Sequence, residues 1–362
     1  VYGVTSQYAD SVDAWEIGNE ADDLWMRNFP VTPETYLKAL RVACQIIAQT
    51  DPGAPILLGS PTYGEAWNAL VTGKLGPPPE EASWYYQVVN LLLKDSEARN
   101  CISAAGLHVY GNPMHSYTLV TALSEWLDKE VWLTETGKQH PVDAIPGDAN
   151  TDNESNCPKD PNTGRNAFPC GTTAEQASYI IRNFALALKG FRDGGKVFHH
   201  RLVDSTGIDG PWGLIQKDNQ TRWPSYWAAM LAAQKLNGAT FFEDHSSGNT
   251  YTQLTFQKQD EFVHVVWGTS GHNACVISQG SPMAYLFTQE SLWPPGETPP
   301  GWKRNFPYEP AGRLVRAESR GNLLCFPLEE DLTNSYTYIL IEPLRDTPAG
   351  TPEGSLSPVC EG

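Results

Sequence analysis

The chain has 362 residues, of which 40% are hydrophobic, and its formal net charge is −17. This length and apolar content are enough for one large domain and a smaller one. The negative charge argues against a nucleic-acid partner, whose phosphates require clustered Lys and Arg, and against an anionic membrane surface. The sequence also contains no run of about 18 apolar residues that would predict a membrane span.

Five short apolar runs alternate with longer helical patterns up to Gly238. The runs predict strands over 13–20, 55–61, 102–112, 130–137 and 196–204. The helical patterns cover 32–49, 83–98, 116–129, 172–195 and 225–238. This alternation predicts a parallel sheet covered by helices, either doubly wound or part of a (β/α)8 TIM barrel. No Gly-rich phosphate turn follows the first strand, and polar side chains end several strands, which favours the barrel.

The pattern changes after Gly238. Short aromatic and β-branched runs separated by turns occur at 249–257, 261–268, 273–278, 283–289, 322–328 and 335–342. They predict an antiparallel β-sandwich or jelly roll, and the Pro-rich stretch 293–312 predicts a long loop. We therefore expect an α/β fold with two domains, 1–238 and 239–362.

Glutamates end two of the predicted strands, Glu20 in "WEIGNEAD" and Glu135 in "VWLTETG". Hydrolysis of a glycosidic bond needs one carboxylic acid to protonate the leaving oxygen and a second carboxylate to attack the anomeric carbon or to activate water. Asn19, beside Glu20, suits a hydrogen bond to a sugar hydroxyl. Either Glu alone is equally well explained as a surface or helix-start charge, but the pair favours a glycosidase site.

His108 and Tyr110 lie two residues apart in the strand predicted over 102–112, so their side chains point to the same face. This spacing is compatible with a role in the site. A lone His in an apolar strand is also well explained as a core residue, and this alternative stays open. His199 and His200 are adjacent in another strand, so at most one of them faces the site.

The two Glu motifs resemble those of the retaining (β/α)8 glycoside hydrolases of clan A, most of all family 39 and its relatives. "WEIGNE" is similar to the end of the clan's fourth strand, and "VWLTETG" to the end of its seventh. The resemblance implies that Glu20 is the acid/base and Glu135 the nucleophile of a double-displacement mechanism. The two carboxyl groups would then lie about 5–5.5 Å apart.

The resemblance covers roughly residues 10–230 and implies further substrate-binding residues. "LHVYGN" is similar to strand six, which implies that Tyr110 donates a hydrogen bond to the nucleophile. The resemblance also implies that Trp212 forms the floor of the sugar-binding site. Ala21 stands where the clan often has Pro. Because the first strand here matches strand four, we expect 1–238 to be the C-terminal part of a barrel and the chain to be part of a longer protein.

The sequence contains seven cysteines, whose pairing would indicate the cellular compartment of the protein. Cys157 and Cys170 bracket a polar loop and predict a disulfide, whereas Cys275 and Cys325 lie in strand-like segments and could also pair. The odd number leaves at least one thiol free or without its partner. A disulfide implies an oxidising location, so we expect an extracellular or secreted protein, although residues 1–20 show no signal peptide.

Two other classes of function stay open. One is a carbohydrate-binding or degenerate glycosidase-like protein without catalysis. The other is a metal-dependent hydrolase, whose ligands would come from a small set: His108, His199 or His200, and Asp204. An acidic loop could suggest calcium, but its spacing is not that of an EF-hand: Asp148, Asp152 and Glu154. We expect no metal or cofactor, and an oligosaccharide, polysaccharide or glycoside as substrate.

Overall fold

A computed structural model describes residues 1–22, 31–72, 83–146, 148–192, 194–205, 210–218, 220–246, 251–268, 273–277, 281, 283–297, 308–320, 323–327 and 337–343. The chain divides into two compact units. The first contains Val1–Gly137 and Leu186–His200, and the second contains Lys138–Ala185 and Arg201–Gly362. The domain boundary expected after residue 238 remains a prediction.

The first unit is built on a five-stranded parallel sheet. Its strands follow one another in chain order: β1 (Trp15–Asn19), β2 (Ile56–Ser60), β3 (Ala104–Tyr110), β4 (Glu130–Gly137) and β5 (Val197–His199). Helix α1 (Tyr2–Tyr8) precedes β1. The helices between β1 and β4 are α2 (Pro33–Thr50), α3 (Tyr63–Trp67), α4 (Trp84–Lys94), α5 (Ser96–Cys101) and α6 (Pro113–Leu127). The predicted parallel sheet with alternating helices is thus confirmed. The last strand is shorter than expected, because it ends at His199.

The helices α2 to α6 and one face of the sheet share a single hydrophobic core. On β3, Leu107 and Val109 are fully buried in this core, together with Leu40 of α2, Val88 of α4 and Leu123 of α6. Because side chains alternate along a strand, His108, which lies between Leu107 and Val109, points to the opposite face of the sheet. That second face carries the polar side chains on which the site is built.

Local signals determine where α2 begins. Thr32 caps the helix, since its hydroxyl accepts a hydrogen bond from the backbone N–H of Thr35 at 3.2 Å, and Pro33 occupies the first turn. A disulfide between Cys44 and Cys101 links α2 to the end of α5. This bond was not predicted from the sequence, since the two cysteines lie in different helices and no spacing pattern connects them.

The second unit contains antiparallel sheets after residue 238. The six-stranded sheet has the order β11-β10-β14-β8-β7-β6, and the three-stranded sheet has the order β12-β13-β9. The strands are β6 (Thr240–Asp244), β7 (Tyr251–Lys258), β8 (Glu261–Gly268), β9 (Asn273–Val276), β10 (Met283–Thr288), β11 (Arg313–Arg316), β12 (Glu318–Arg320), β13 (Leu323–Pro327) and β14 (Tyr338–Pro343). One hydrophobic cluster draws side chains from both sheets, among them Phe326 and Leu340.

Two further α-helices are α7 (Thr173–Gly190), between β4 and β5, and α8 (Pro224–Leu236), between β5 and β6. The division between the units falls inside α7. Of the Pro-rich stretch 293–312, residues 298–307 lie outside the described residues; the described part contains one short 3₁₀ turn, Pro295–Glu297. Across the described ranges, no helix is long and apolar enough to cross a membrane.

Disulfides and capping order the loop that follows β4. Within this loop, the Cys157–Cys170 disulfide is formed as predicted. Outside the loop, a second disulfide, Cys275–Cys325, joins β9 to β13. In the acidic loop considered for calcium, Asp152 is buried and caps α7, because its carboxylate accepts hydrogen bonds from the N–H and hydroxyl of Thr173 at 2.7 and 2.6 Å. This carboxylate therefore has a structural role, whereas the sequence suggested a solvated acid.

Candidate active site

The candidate site lies at the carboxyl ends of β1, β3 and β4, within the first unit. Asn19 is the last residue of β1 and Glu20 follows it directly. His108 and Tyr110 lie on the outer half of β3, and His108 pairs in register with Glu135 of β4. Parallel strands present their carboxyl ends at one edge of the sheet, so the topology brings these side chains together.

Glu20 adopts a backbone conformation that is unusual for its residue type. Its φ angle is 45°, in the left-handed region that normally favours glycine, and its N–H donates to the carbonyl of Ser60 at 2.8 Å. A non-glycine residue in this conformation costs on the order of 1 kcal/mol, and such residues concentrate at functional sites. The motif "GNEAD" thus has a turn with glutamate where glycine would be easier to accommodate.

Glu135 reaches the site because β4 contains a bulge. Residues 130–133 pair with 104–107 in regular register, but His108 then pairs with Glu135, so Thr134 is the additional residue. The pairing of β4 with β5 shifts in the same segment, between Leu133 and Thr136. Without the bulge, strict alternation would place Glu135 on the same face as Leu133, in the core beneath the helices. The bulge turns the carboxylate to the face that carries His108.

One buried imidazole contacts both carboxylates. Nδ1 of His108 lies 2.8 Å from Oε1 of Glu20, at hydrogen-bond distance, and Nε2 lies 3.8 Å from Oε1 of Glu135. The His108 side chain is completely buried, whereas those of Glu20 and Glu135 are 21% and 27% exposed. Either the imidazole donates to ionised Glu20 or protonated Glu20 donates to the imidazole, so this hydrogen bond persists in both protonation states of the acid.

Two further groups hold Glu135. The Tyr110 hydroxyl donates a short hydrogen bond to Oε2 of Glu135, and Nδ1 of His200 lies 3.4 Å from the same oxygen. Hydrogen bonds to a carboxylate stabilise its ionised form and fix its orientation. Of the adjacent pair, His200 is therefore the histidine that reaches the site. The sequence had left open which of the two it would be.

Tyr36 of α2 supports the end of β1 from the helix side. Its hydroxyl donates to the carbonyl of Ile17 at 2.8 Å and accepts from the N–H of Gly59 at 2.9 Å. A Cβ on Gly59 would lie 2.3 Å from the Ile17 carbonyl oxygen, so only glycine fits here. Burial raises the pKa of Tyr36 far above its usual value, which keeps the phenol neutral beside the strand that leads to Glu20.

Three other residues singled out from the sequence, Asn19, Trp212 and Asp204, lie in three different environments. Asn19 is exposed at the end of β1. Trp212 belongs to the second unit, where its ring is 3% exposed and packs edge-on against Phe168 at 5.5 Å between centroids; its expected contact with sugar stays a prediction. Asp204 does not end a strand: it lies in the loop after β5 and accepts hydrogen bonds from the N–H of Gly213 and the indole of Trp223.

A cavity of about 720 Å³ opens on the same face of the sheet, toward the amino ends of the strands. Its lining includes Glu16, Trp132, Thr134 and Phe198, but neither Glu20 nor Glu135. The cavity is therefore adjacent to the carboxylates along the strands and does not coincide with them. Within the described ranges, no group of three or more His, Cys, Asp or Glu side chains is arranged to hold a metal ion.

No protein-family model matches this chain, and no curated protein sequence matches it. Its structure is similar to those of glycoside hydrolases. For a family 39 glycoside hydrolase from Bacteroides cellulosilyticus WH2 the TM-score is 0.58 at 16% identity, over 94% of this chain and 60% of that chain. For a family 30 endoxylanase from Clostridium papyrosolvens C71 the TM-score is 0.54 at 10% identity, over 94% and 71%.

A third structure, the family 30 xylanase Xyn30A from Clostridium acetobutylicum, matches with a TM-score of 0.53 at 12% identity, over 94% of this chain and 72% of that chain. At such identities the likeness establishes the fold and does not establish the activity. The chain has a fold of the clan A glycoside hydrolases, so the resemblance inferred from its motifs is confirmed at this level. It spans less than two thirds of the family 39 enzyme.

Proposed function

We propose that this chain carries the catalytic residues of a retaining glycoside hydrolase, with Glu135 as nucleophile and Glu20 as acid/base. The observation that supports this most directly is the arrangement of the two glutamates around His108, with the Tyr110 hydroxyl bound to Glu135. A glutamate whose carboxylate is oriented by a hydrogen bond from a tyrosine hydroxyl is suited to attack the anomeric carbon. Glu20 is suited to exchange its proton, because its hydrogen bond to the His108 imidazole can form in both protonation states of the carboxyl group.

In the first step, a carboxylate oxygen of Glu135 bonds to the anomeric carbon while the bond from that carbon to the leaving oxygen breaks. Glu20 gives its proton to the leaving oxygen, and the resulting carboxylate accepts a hydrogen bond from the Nδ1–H of the His108 imidazole. The Tyr110 hydroxyl holds the attacking carboxylate in place. We assign to Asn19, which is exposed beside Glu20, the role of binding a hydroxyl of the sugar ring.

In the second step, ionised Glu20 takes a proton from water as the water oxygen attacks the anomeric carbon. The bond between this carbon and Glu135 breaks, and the Glu135 carboxylate is regenerated. The sugar therefore leaves with its original anomeric configuration. Glu20 acts as acid in one step and as base in the other, and its hydrogen bond to His108 is compatible with both states.

We further propose that the parallel sheet is part of a (β/α)8 barrel. Helices cover one of its faces, whereas a doubly wound sheet would have helices on both. The antiparallel sheets after residue 238 would then form a β-sandwich accessory domain, with the boundary near that residue. The substrate is an oligosaccharide, polysaccharide or glycoside. The three disulfides support an extracellular or secreted location, because they require an oxidising compartment.

Two substitutions in the natural full-length protein test the assigned roles with an activated aryl glycoside. Glu135→Gln should abolish the first step on every substrate, because an amide cannot replace the carboxylate as the nucleophile. Glu20→Ala should largely retain the first step, since a good leaving group needs little protonation, and should be slow in the second. Azide should rescue Glu20→Ala, because the truncation opens space for an anion. Glu125→Gln, an exposed site on α6, is the control.

Rescue of the residue-135 variant by azide, with Glu20→Ala inactive on activated substrates, would show that the roles are reversed. Wild-type activity in both variants would refute the proposal. Carbohydrate binding without hydrolysis, and without covalent labelling of Glu135 by a 2-fluoro glycoside, would assign the chain to the alternative class of non-catalytic carbohydrate-binding proteins.

A further inference from the structure

A polar cluster links three strands on the face of the sheet that carries the candidate site. Oε1 of Glu16 on β1 accepts hydrogen bonds from the N–H of Ser60 at 2.9 Å and from its hydroxyl at 2.5 Å. The Ser60 hydroxyl lies 2.6 Å from the hydroxyl of Thr134 on β4, and Thr134 lies 3.2 Å from Glu16. Since each hydroxyl has one hydrogen, the shortest set is a chain in which Thr134 donates to Ser60 and Ser60 to Glu16.

This cluster crosses β3 at a position that has no side chain. A Cβ on Gly106 would lie 2.3 Å from Oε1 of Glu16 and 2.3 Å from Oγ of Ser60. Any other residue would therefore displace the cluster. Gly106 thus allows a side chain of β4 to reach across β3 to β2 and β1. A glycine in a strand interior often marks a close approach of this kind.

Thr134 is also the additional residue of the β4 bulge, directly before Glu135. A bulge can be removed by a slip of one residue, which would reverse the facing of every side chain beyond it. Such a slip would turn Glu135 away from His108 and Tyr110. The hydrogen bonds of Thr134 oppose the slip, because without the bulge Thr134 would itself pair with His108, and its side chain would move along β3 away from Ser60 and Glu16.

We propose that Thr134 is a positioning residue that acts through Ser60 and Glu16 to keep Glu135 on the site face of the sheet. The effect on catalysis rests on the proposed function, in which Glu135 is the nucleophile. The effect on the Glu135 carboxyl group does not depend on it. The cluster touches neither the sugar nor the reacting atoms in this proposal. The role of the cluster is to position the Glu135 carboxylate, which attacks the sugar.

The test compares Thr134→Val, which replaces the hydroxyl by a methyl group of similar size, with Thr134→Ser, which retains the hydroxyl. Thr118→Val is the matched control, because Thr118 is exposed on α6 and its hydroxyl donates a hydrogen bond to the carbonyl of Met114 within the same helix. Thr134→Val should lower kcat by about ten- to hundredfold with KM changed by less than about twofold, since a small misplacement of a reacting group has effects of this size. Thr134→Ser should retain most of the activity.

A second measurement does not require activity. The carboxyl carbon of Glu135, labelled with ¹³C and assigned by its loss in Glu135→Gln, should shift in Thr134→Val and in Gly106→Ala but not in Thr118→Val. If the wild-type protein is inactive on all glycosides but this signal still moves, the positioning role stands and the proposed function fails. If the wild-type protein is active and Thr134→Val changes neither kcat nor the signal, the positioning role is overturned and the proposed function stands.

Discussion

Nδ1 of His108 lies 2.8 Å from Oε1 of Glu20, although 88 residues separate them in the chain. The histidine is fully buried on β3 and the glutamate is partly exposed beyond the end of β1. The buried imidazole thus fixes one end of a hydrogen bond whose other end faces the solvent. This relationship distinguishes Glu20 from Glu135, which has a tyrosine hydroxyl as its short hydrogen-bond partner.

Paired substitutions at His108 test whether this hydrogen bond matters. The amide of Asn can take the place of Nδ1, whereas the amide of Gln takes the place of Nε2. We therefore expect His108→Gln to lower kcat/KM by about ten- to hundredfold, the equivalent of about 1.5–3 kcal/mol for a hydrogen bond to a charged group. His108→Asn should lose less. The measurement is the initial rate of hydrolysis of an aryl glycoside, and His245→Gln in the second unit is the control. Equal losses of kcat/KM in His108→Gln and His108→Asn would contradict the expectation.

The left-handed backbone conformation of Glu20 should reduce the stability of the folded protein at this position. Because its φ angle is 45°, Glu20→Gly should be about 1 kcal/mol more stable than Glu20→Ala, although neither retains the acid. The same pair at Glu125, inside α6, should show the opposite order, with Gly about 1 kcal/mol less stable than Ala. Urea unfolding of the four variants measures both differences. The same sign at the two positions would argue against backbone strain at Glu20.

The hydroxyl of Tyr110 should contribute to the chemical step more than to binding. Tyr110→Phe removes a hydrogen bond to Glu135, so kcat should fall by about tenfold while KM changes little, which corresponds to about 1.4 kcal/mol. Tyr117→Phe on α6 is the control, because the Tyr117 ring lies under the Lys189 ammonium at 4.3 Å. A loss in KM alone would indicate that Tyr110 contacts substrate and does not orient Glu135.

Buried tyrosines should limit stability at high pH. Burial raises the pKa of Tyr36, Tyr85 and Tyr251 above the ordinary value near 10. Their stabilising contribution is complete below about pH 10 and is lost as the pH rises above it, because the unfolded state then releases phenolic protons that the folded state retains. Phenolate absorbance should therefore rise in two phases, the second together with unfolding.

Two variants check the assignment of these phases. Tyr36→Phe should reduce the second phase, whereas Tyr2→Phe, at an exposed residue of α1, should reduce the first. Ionisation of every tyrosine in a single phase, before any loss of circular dichroism, would contradict the burial of these phenols.

The disulfide between α2 and α5 should stabilise the first unit. Cys44 and Cys101 are 57 residues apart, so replacing both with Ala should cost about 2–4 kcal/mol of unfolding free energy. The shorter Cys157–Cys170 loop, with a separation of 13, should contribute about 1 kcal/mol less. Urea unfolding measures both. Because the structure has three disulfides, full reduction should expose six additional thiols, and an unchanged thiol count would exclude the bonds.

Sequence periodicity predicted most elements of the first unit, because their signals are local. Thr32 and Pro33 mark the start of α2, and alternation along 102–112 placed His108 and Tyr110 on one face. Six of the nine antiparallel strands described in the second unit were predicted in the same way, whereas β6, β11 and β12 were not predicted. Strand ends were less accurate: the strand expected over 196–204 ends at His199 because pairing with β4 stops there.

Other features depend on residues that are distant in the chain, and local patterns carry no record of them. Cys44 pairs with Cys101 only because α2 and α5 are neighbours in the folded unit. The positive φ of Glu20 depends on the carbonyl of Ser60, which accepts its N–H.

The sequence by itself determined which residues are available for chemistry and which strand ends present them. Alternation alone places Thr134 and Glu135 on opposite faces of β4, and it would have directed one of them into the core. Tertiary structure decided that both reach the site face, through a bulge stabilised by Ser60 on β2 and Glu16 on β1. The physical reason is that register is a property of paired strands: the side chains that hold a bulge come from segments far away in the chain, and they meet only once the sheet has formed.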